Sequence, residues 1–259
     1  MPLIEPTLFG TRNKVQIAIE RLRTFCPPEG YYLAFSGGKD SVTIKALADM
    51  AEIKYDAHYN VTTIDPPEVT RFIRDQHPDV VWERPKRSMF RLIIMKQWPP
   101  LRQWRYCCER LKERGGKGRK VLTGIRHQES GQRKNRQMVE TCYSDPTKTF
   151  IHPIIDWSDR DVWEFIKTED LPYCSLYDEG FHRVGCILCP YEGNAQNIQK
   201  QIERWPQFVK AYIRTFDRLI KYRDSLGKET TFKTGQELFD WWIDRGHRKK
   251  DPQEARLFE

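Results

Sequence analysis

The chain has 259 residues, 39% hydrophobic and 31% charged, with 44 lysines and arginines against 36 aspartates and glutamates and a formal net charge of +8. That length suits one large domain or a main domain with an appended part. No apolar run reaches the length of a membrane span and residues 1–11 lack the apolar core of a secretory leader, so a cytoplasmic protein without a membrane partner is expected. The positive balance favours anionic partners without choosing between nucleotides and nucleic acids, and seven cysteines, an odd number, argue for metal binding or catalysis rather than a disulfide framework.

Apolar residues at helical spacing (Val15, Ile17, Ala18, Ile19, Leu22) predict a leading helix over 15–25. Strands are predicted at 31–35, 56–62, 80–82, 120–124 and 150–153, and helices at 40–51, 68–77, 88–96 and 158–168. Ser158 and Asp161 form an N-cap pair for the last of these. Strands alternating with helices of this length pair in parallel through right-handed crossovers, which predicts an α/β fold with an open, mostly parallel, Rossmann-like sheet and ligands at its carboxyl edge. After Tyr191 the pattern turns to long charged helices, 196–226 with a break at Pro206 and 236–244, expected to form a C-terminal helical subregion. The expected division is an α/β domain over 1–194 that includes the paired cysteines, and a helical extension over 195–259.

Between the first sheet strand and the helix that follows lies Ser36-Gly37-Gly38-Lys39-Asp40-Ser41. Two adjacent glycines allow positive φ and close approach of the backbone to an anion, and the following helix offers unpaired N–H groups and its positive dipole end. Lys39 adds a cation, and Ser36 and Ser41 add hydroxyls. Arg126 and Arg133 follow the strand ending near Gly124, hence lie near the same edge, where guanidinium groups clamp phosphate or sulfate oxygens; against this stands the plainer reading of surface arginines with solvated partners. Cys107 and Cys108 are adjacent and Cys186 and Cys189 form a CxxC, four soft ligands in two pairs for zinc or an iron-sulfur cluster. Adjacent cysteines suit a cluster better, because each ligates a different iron. Basic stretches at Lys112–Lys120, Arg133–Arg136 and 245–250, with aromatic residues interleaved in the C-terminal helices, suggest nucleic acid, although aromatic residues at helical spacing more often form core.

The hexapeptide resembles the PP-loop, SGGxDS, of the ATP pyrophosphatases, an adenine nucleotide alpha hydrolase-like superfamily. The paired cysteines, with TTIDPPEVTRF (62–72), TGIRHQESGQR (123–133) and PIIDWSDRDVWEFI (153–166), resemble the phosphoadenylylsulfate (PAPS) reductase family over most of 30–190. The resemblance implies that residues 36–41 contact the nucleotide, ATP or a sulfonucleotide (APS or PAPS), and that Asp40 helps to place Mg2+. Lys39, Asp40, Arg126 and Arg133 are the expected catalytic residues, and the resemblance further implies that Cys107, Cys108, Cys186 and Cys189 hold a 4Fe-4S cluster, with zinc as the alternative.

Sulfonucleotide reductases use a cysteine in a late ECGxH motif and carry an eroded PP-loop. Here the loop is intact and no cysteine follows Cys189, so Cys26, Cys142 or Cys174 would have to substitute. The expected function is therefore ATP cleavage to AMP and pyrophosphate, adenylating an acceptor for sulfur transfer of the DNA phosphorothioation or tRNA thiolation kind, with a cysteine desulfurase as donor. The alternatives are an APS or PAPS reductase with a thioredoxin-type donor, and a non-catalytic nucleotide-binding or cluster-sensing module.

Overall fold

The computed structural model describes residues 3–7, 10–131, 133–228 and 230–246. In chain order its strands and α-helices are β1 (Ile4–Thr7), β2 (Gly10–Asn13), α1 (Lys14–Phe25), β3 (Tyr31–Phe35), α2 (Lys39–Met50), β4 (Tyr55–Asn60), α3 (Pro67–Gln76), β5 (Val81–Glu83), α4 (Met89–Lys96), β6 (Lys120–Leu122), β7 (Val139–Thr141), β8 (Thr149–Ile151), α5 (Asp159–Thr168), α6 (Ala195–Arg204), α7 (Pro206–Ser225) and α8 (Gly235–Trp241). They fall into two compact units, one of Met1–Asn60, Pro67–Glu83 and Arg114–Val184, the other of Val61–Pro66, Arg84–Glu113 and Gly185–Glu259. This grouping places both cysteine pairs with the C-terminal helices and divides the chain differently from a cut at residue 194.

The first unit is built on a six-stranded sheet of order β5-β4-β3-β6-β8-β7. Neighbours run parallel except the edge pair β7 and β8. Central β3 is apolar almost throughout, with Tyr31, Tyr32, Leu33 and Phe35 buried, as expected of a parallel strand covered on both faces. Leu33 pairs in register with Ala57 of β4 and Leu122 of β6. Helices α1, α2 and α5 bury one stripe each: Ala18, Ile19 and Leu22; Val42, Ile44 and Leu47; Val162, Phe165 and Ile166. Ser158 and Asp161 form the reciprocal cap at α5, the Asp161 amide donating to Ser158 Oγ at 3.1 Å and the Ser158 amide to Asp161 Oδ2 at 2.7 Å. The same carboxylate accepts from Lys14 Nζ at 2.8 Å, tying the start of α1 to α5.

The second unit packs α4 and α8 against α7 around an aromatic core. Tyr212, Phe216 and Trp242 are fully buried, Tyr212 and Trp242 lie 4.9 Å apart, and Trp242 Nε1 donates to Pro100 O at 2.7 Å. The aromatic stripe of the C-terminal helices is thus mainly core. The break at Pro206 is real, because Pro206 takes the first position of α7, where no N–H is needed.

Candidate functional site

The glycine loop sits between the carboxyl end of β3 and the start of α2. Gly37 has φ +72°, a region glycine occupies without cost, and a Cβ there would lie 2.9 Å from Ile73 Cγ1 on α3. The loop braces itself: Ser41 Oγ donates to Gly38 O at 2.8 Å and accepts from the Ser36 amide at 3.2 Å, while Ser36 Oγ lies 3.3 Å from it. The Ser41 hydroxyl, predicted as a ligand donor, is therefore engaged within the turn. Gly38 caps α2 and has no side chain of its own to bond the helix start. The Lys39 amide donates to Tyr177 Oη at 3.0 Å, a partner the sequence pattern did not suggest.

Lys39, Asp40 and Arg126 come together. Arg126 is 2% exposed, with Nε donating to Asp40 Oδ1 at 2.7 Å, Nη2 to Asp159 Oδ1 at 3.0 Å and Nη1 to Trp157 O at 3.4 Å. Burial works against its charge, but Asp40 first, then Glu129 and Asp159, raise its pKa above the usual value. Lys39 Nζ stands 3.2 Å from Asp159 Oδ1, 3.7 Å from Asp40 Oδ2 and 5.7 Å from the centre of the Tyr177 ring. Two cations and two carboxylates thus make a locally neutral cluster at the loop, and Asp159, absent from the sequence prediction, is shared by both cations. Arg126 acts as the brace of Asp40, with all three guanidinium nitrogens on protein oxygens. Close packing matters here too, since a Cβ at Gly124 would lie 2.7 Å from Asp40 Cβ. Arg133 pairs instead with Glu129. His127 Nε2 meets Arg136 O at 2.9 Å, and His182 is exposed.

All four predicted cysteines line one small cavity of about 20 Å3 in the second unit, with Thr62, Ile64, Met89, Leu111, Lys112 and Pro190. Cys108 opens a π-helical turn, Cys108–Lys112, closed by the Glu113 amide on Cys108 O at 3.0 Å. Such wide turns are frequent at functional sites. The CxxC turn is held by its backbone: the Ile187 amide donates to Ile64 O at 2.8 Å, the Leu188 amide to Gln201 Oε1 at 2.7 Å, and Leu188 adopts φ +53°. A hydrogen bond with Cys107 pushes Cys108 down to about 6 against the effect of burial, with Lys112 and Arg105 assisting, and raises Cys107. Burial pushes Cys186 up to about 11. The Cys186 sulfur, then Cys189, Asp65 and Cys108, hold the Lys112 ammonium charged against the cost of desolvation. Among the described residues no three His, Cys, Asp or Glu side chains converge closely enough for a metal ion. The four thiols line the small cavity instead, and they form a soft donor set of the kind that suits zinc or iron-sulfur groups. Of the other thiols, Cys174 is fully buried and its pKa is raised by that burial. No helix among the described residues is long and apolar enough to cross a membrane.

Residues 30–192 match the phosphoadenosine phosphosulfate reductase domain. Relatives include an uncharacterized protein of Methanocaldococcus jannaschii (28% identical, 77% of this chain and 51% of that one), a probable FAD synthase of Schizosaccharomyces pombe (28%, 70% and 69%) and a phosphoadenosine 5'-phosphosulfate reductase of Alkalilimnicola ehrlichii (45% identical over 66 residues, 26% of each). The chain spans about half or less of the length of two archaeal relatives, 51% and 41%. Among solved structures, the PAPS reductase of Candida auris shares the fold at TM-score 0.50 and 20% identity, over 65% of this chain and 87% of that one. With the family match covering more than half of its length and the loop at the carboxyl end of β3, the chain belongs to the PAPS reductase domain family, on a PP-loop fold of the adenine nucleotide alpha hydrolase type.

Proposed function

We propose that the chain is an ATP-using enzyme that adenylates an acceptor, the first step of a sulfur transfer. The acceptor oxygen attacks the α phosphorus, the bond from that phosphorus to the α–β bridging oxygen breaks, and pyrophosphate leaves with that electron pair. Residues 36–41 would grip the β and γ phosphates through loop amides and the positive end of α2. Lys39 would neutralise charge developing on the leaving group, exchanging its contact with Asp159 for a phosphate oxygen. Arg126 would hold Asp40 and thereby the first turn of α2. Magnesium would arrive with the nucleotide as its counter-ion, and Arg133, on its own ion pair with Glu129, would be drawn in only with substrate present. The observation that carries this reading is the braced loop before a helix whose glycine cap offers no side chain, with a lysine 5% exposed beside it.

Cys107, Cys108, Cys186 and Cys189 would hold a 4Fe-4S cluster, which when bound supplies a site for handling sulfur or electrons; a cysteine desulfurase would be the sulfur source. Zinc is the weaker reading, because the adjacent Cys107 and Cys108 suit a cluster in which each ligates a different iron. The names of the relatives include FAD synthase and PAPS reductase, which keeps the sulfonucleotide reductase as the second reading. Protein purified without oxygen should release AMP and pyrophosphate from ATP when supplied with single-stranded DNA or tRNA and a persulfide donor. Sulfite formed from APS or PAPS with thioredoxin, and no pyrophosphate from ATP, would favour the reductase; tight ATP binding without cleavage would favour a nucleotide-sensing module.

A further inference from the structure

The basic stretches that the sequence singles out are largely engaged. Arg114 Nε donates to Asn60 Oδ1 at 3.2 Å, Arg119 grips both oxygens of Asp56, Lys120 Nζ donates to Phe25 O at 3.0 Å, and Arg133 and Arg136 pair with Glu129 and Glu140. The stretch 245–250 lies outside the described side chains. Unpaired charge sits elsewhere. Residues 84–113 hold nine lysines and arginines and two glutamates, all within the unit that carries the thiols. Of these cations Lys86, Arg87, Arg91, Lys96, Arg102 and Arg105 make no ion pair with a described residue; Arg110 pairs with Glu109.

At one end of this segment an aromatic platform is built. Trp104 is 43% exposed, an unusual placement for the largest side chain, and it stands edge-on to Tyr106 at 5.0 Å between ring centres. Lys96 Nζ lies 5.8 Å from the Tyr106 ring. Arg102 and Arg105 both stack on Tyr191, at 4.5 and 4.4 Å, and Arg102 Nη1 also donates to Tyr191 O at 3.1 Å. The guanidinium planes are therefore held in place without a carboxylate to neutralise them. Arg105 Nη1 is also 4.0 Å from Cys108 Sγ, which puts the platform at the rim of the thiol cavity.

We infer that Trp104, flanked by Arg102, Arg105 and Lys96, is a binding surface for single-stranded nucleic acid. Unneutralised cations attract a phosphate backbone, and an exposed indole stacks on a base only where that base is unpaired, so the arrangement selects a single strand over a duplex. The binding follows from the platform alone; the role of the strand as acceptor rests on the adenylating function proposed above.

The test is fluorescence anisotropy of the full chain with a labelled oligothymidylate and with the corresponding dT–dA duplex, without ATP, at two salt concentrations. The single strand should bind more tightly, Trp104→Ala should weaken it about 10-fold, within the range of losing one stacked base, and Trp104→Phe should restore most of that loss. Replacing Lys96, Arg102 and Arg105 together by glutamine should lower the slope of log affinity against log salt by about 2. Lys39→Ala should bind the strand like the native chain even if it cleaves no ATP, which separates this inference from the proposed chemistry. Equal affinity for strand and duplex, or a Trp104→Ala protein of native melting temperature with unchanged affinity, would overturn it.

Discussion

In the unit that carries the glycine loop, 21 lysines and arginines meet 22 aspartates and glutamates; in the unit that carries the thiols, 23 meet 14. The difference is one of arrangement as well as sum. Around the loop, cations are aimed by carboxylates, Arg126 by the half-buried Asp40 and Lys39 by the solvated Asp159. Around the thiols, arginines rest on aromatic rings and stay uncompensated. A paired cation has a fixed position and waits for one anion that fits better, whereas an unpaired one raises attraction for any polyanion. On the proposed function, selective phosphate chemistry falls to the first unit and broad attraction for polyanions to the second.

The largest test of that assignment is Lys39→Ala. Pyrophosphate release from ATP should fall about 100- to 1,000-fold, the scale of losing one preorganised electrostatic contact, while iron and sulfide content of anaerobically purified protein stay native. A parallel loss of iron would break the separation. Next, Cys186→Ala should abolish iron and sulfide binding and the associated visible absorption but leave ATP affinity, measured by calorimetry, within about 2-fold. Arg126→Met comes third: it strands Asp40 beside the loop, and stability in urea should fall by about 3 kcal/mol, a cost near the low end for breaking a buried pair because Asp159 remains solvated.

The effect that is smallest near neutral pH concerns acid. His152 is fully buried between Thr123 and Glu140, with Nδ1 2.6 Å from Thr123 Oγ1 and Nε2 3.7 Å from Glu140 Oε2. Burial, then Arg136, pushes its pKa down to about 4, against the pull of Glu140. Between pH 6.5 and 4 the unfolded chain therefore binds a proton that the folded one refuses, and stability is lost as pH falls through that window, by up to about 1.4 kcal/mol per pH unit. His152→Asn should flatten this part of the difference curve; an unchanged slope would place the acid sensitivity elsewhere, with His77, also buried and lowered by burial, the next group to examine.

Much of the first unit is legible in the chain because its strands are fed by helices with explicit signals. Tyr31–Phe35 is found as predicted, and the Ser158 and Asp161 cap and the break at Pro206 follow from side-chain chemistry within a few residues. The strands β1, β2 and β7 were not readable, being three or four residues long and stabilised by pairing with partners across a turn or across the sheet. The four cysteines were identifiable by spacing, and the structure gathers them. Asp159, Tyr177 and the bracing role of Arg126 were not identifiable, since each depends on contacts more than thirty residues apart. Charge runs were the poorest guide: a run of arginines shows where positive charge is, but not whether a carboxylate from another strand already answers it.

Gly124 gives the loop its tightest mechanical tolerance. The clearance between the end of β6 and the Asp40 side chain is smaller than a methyl group, so adding one carbon at residue 124 would wedge the acid and its arginine partner outward while every side chain of the site kept its chemical identity. That single position offers a way to vary distance without varying chemistry, and so to learn how many tenths of an ångström the phosphate grip can lose before it fails.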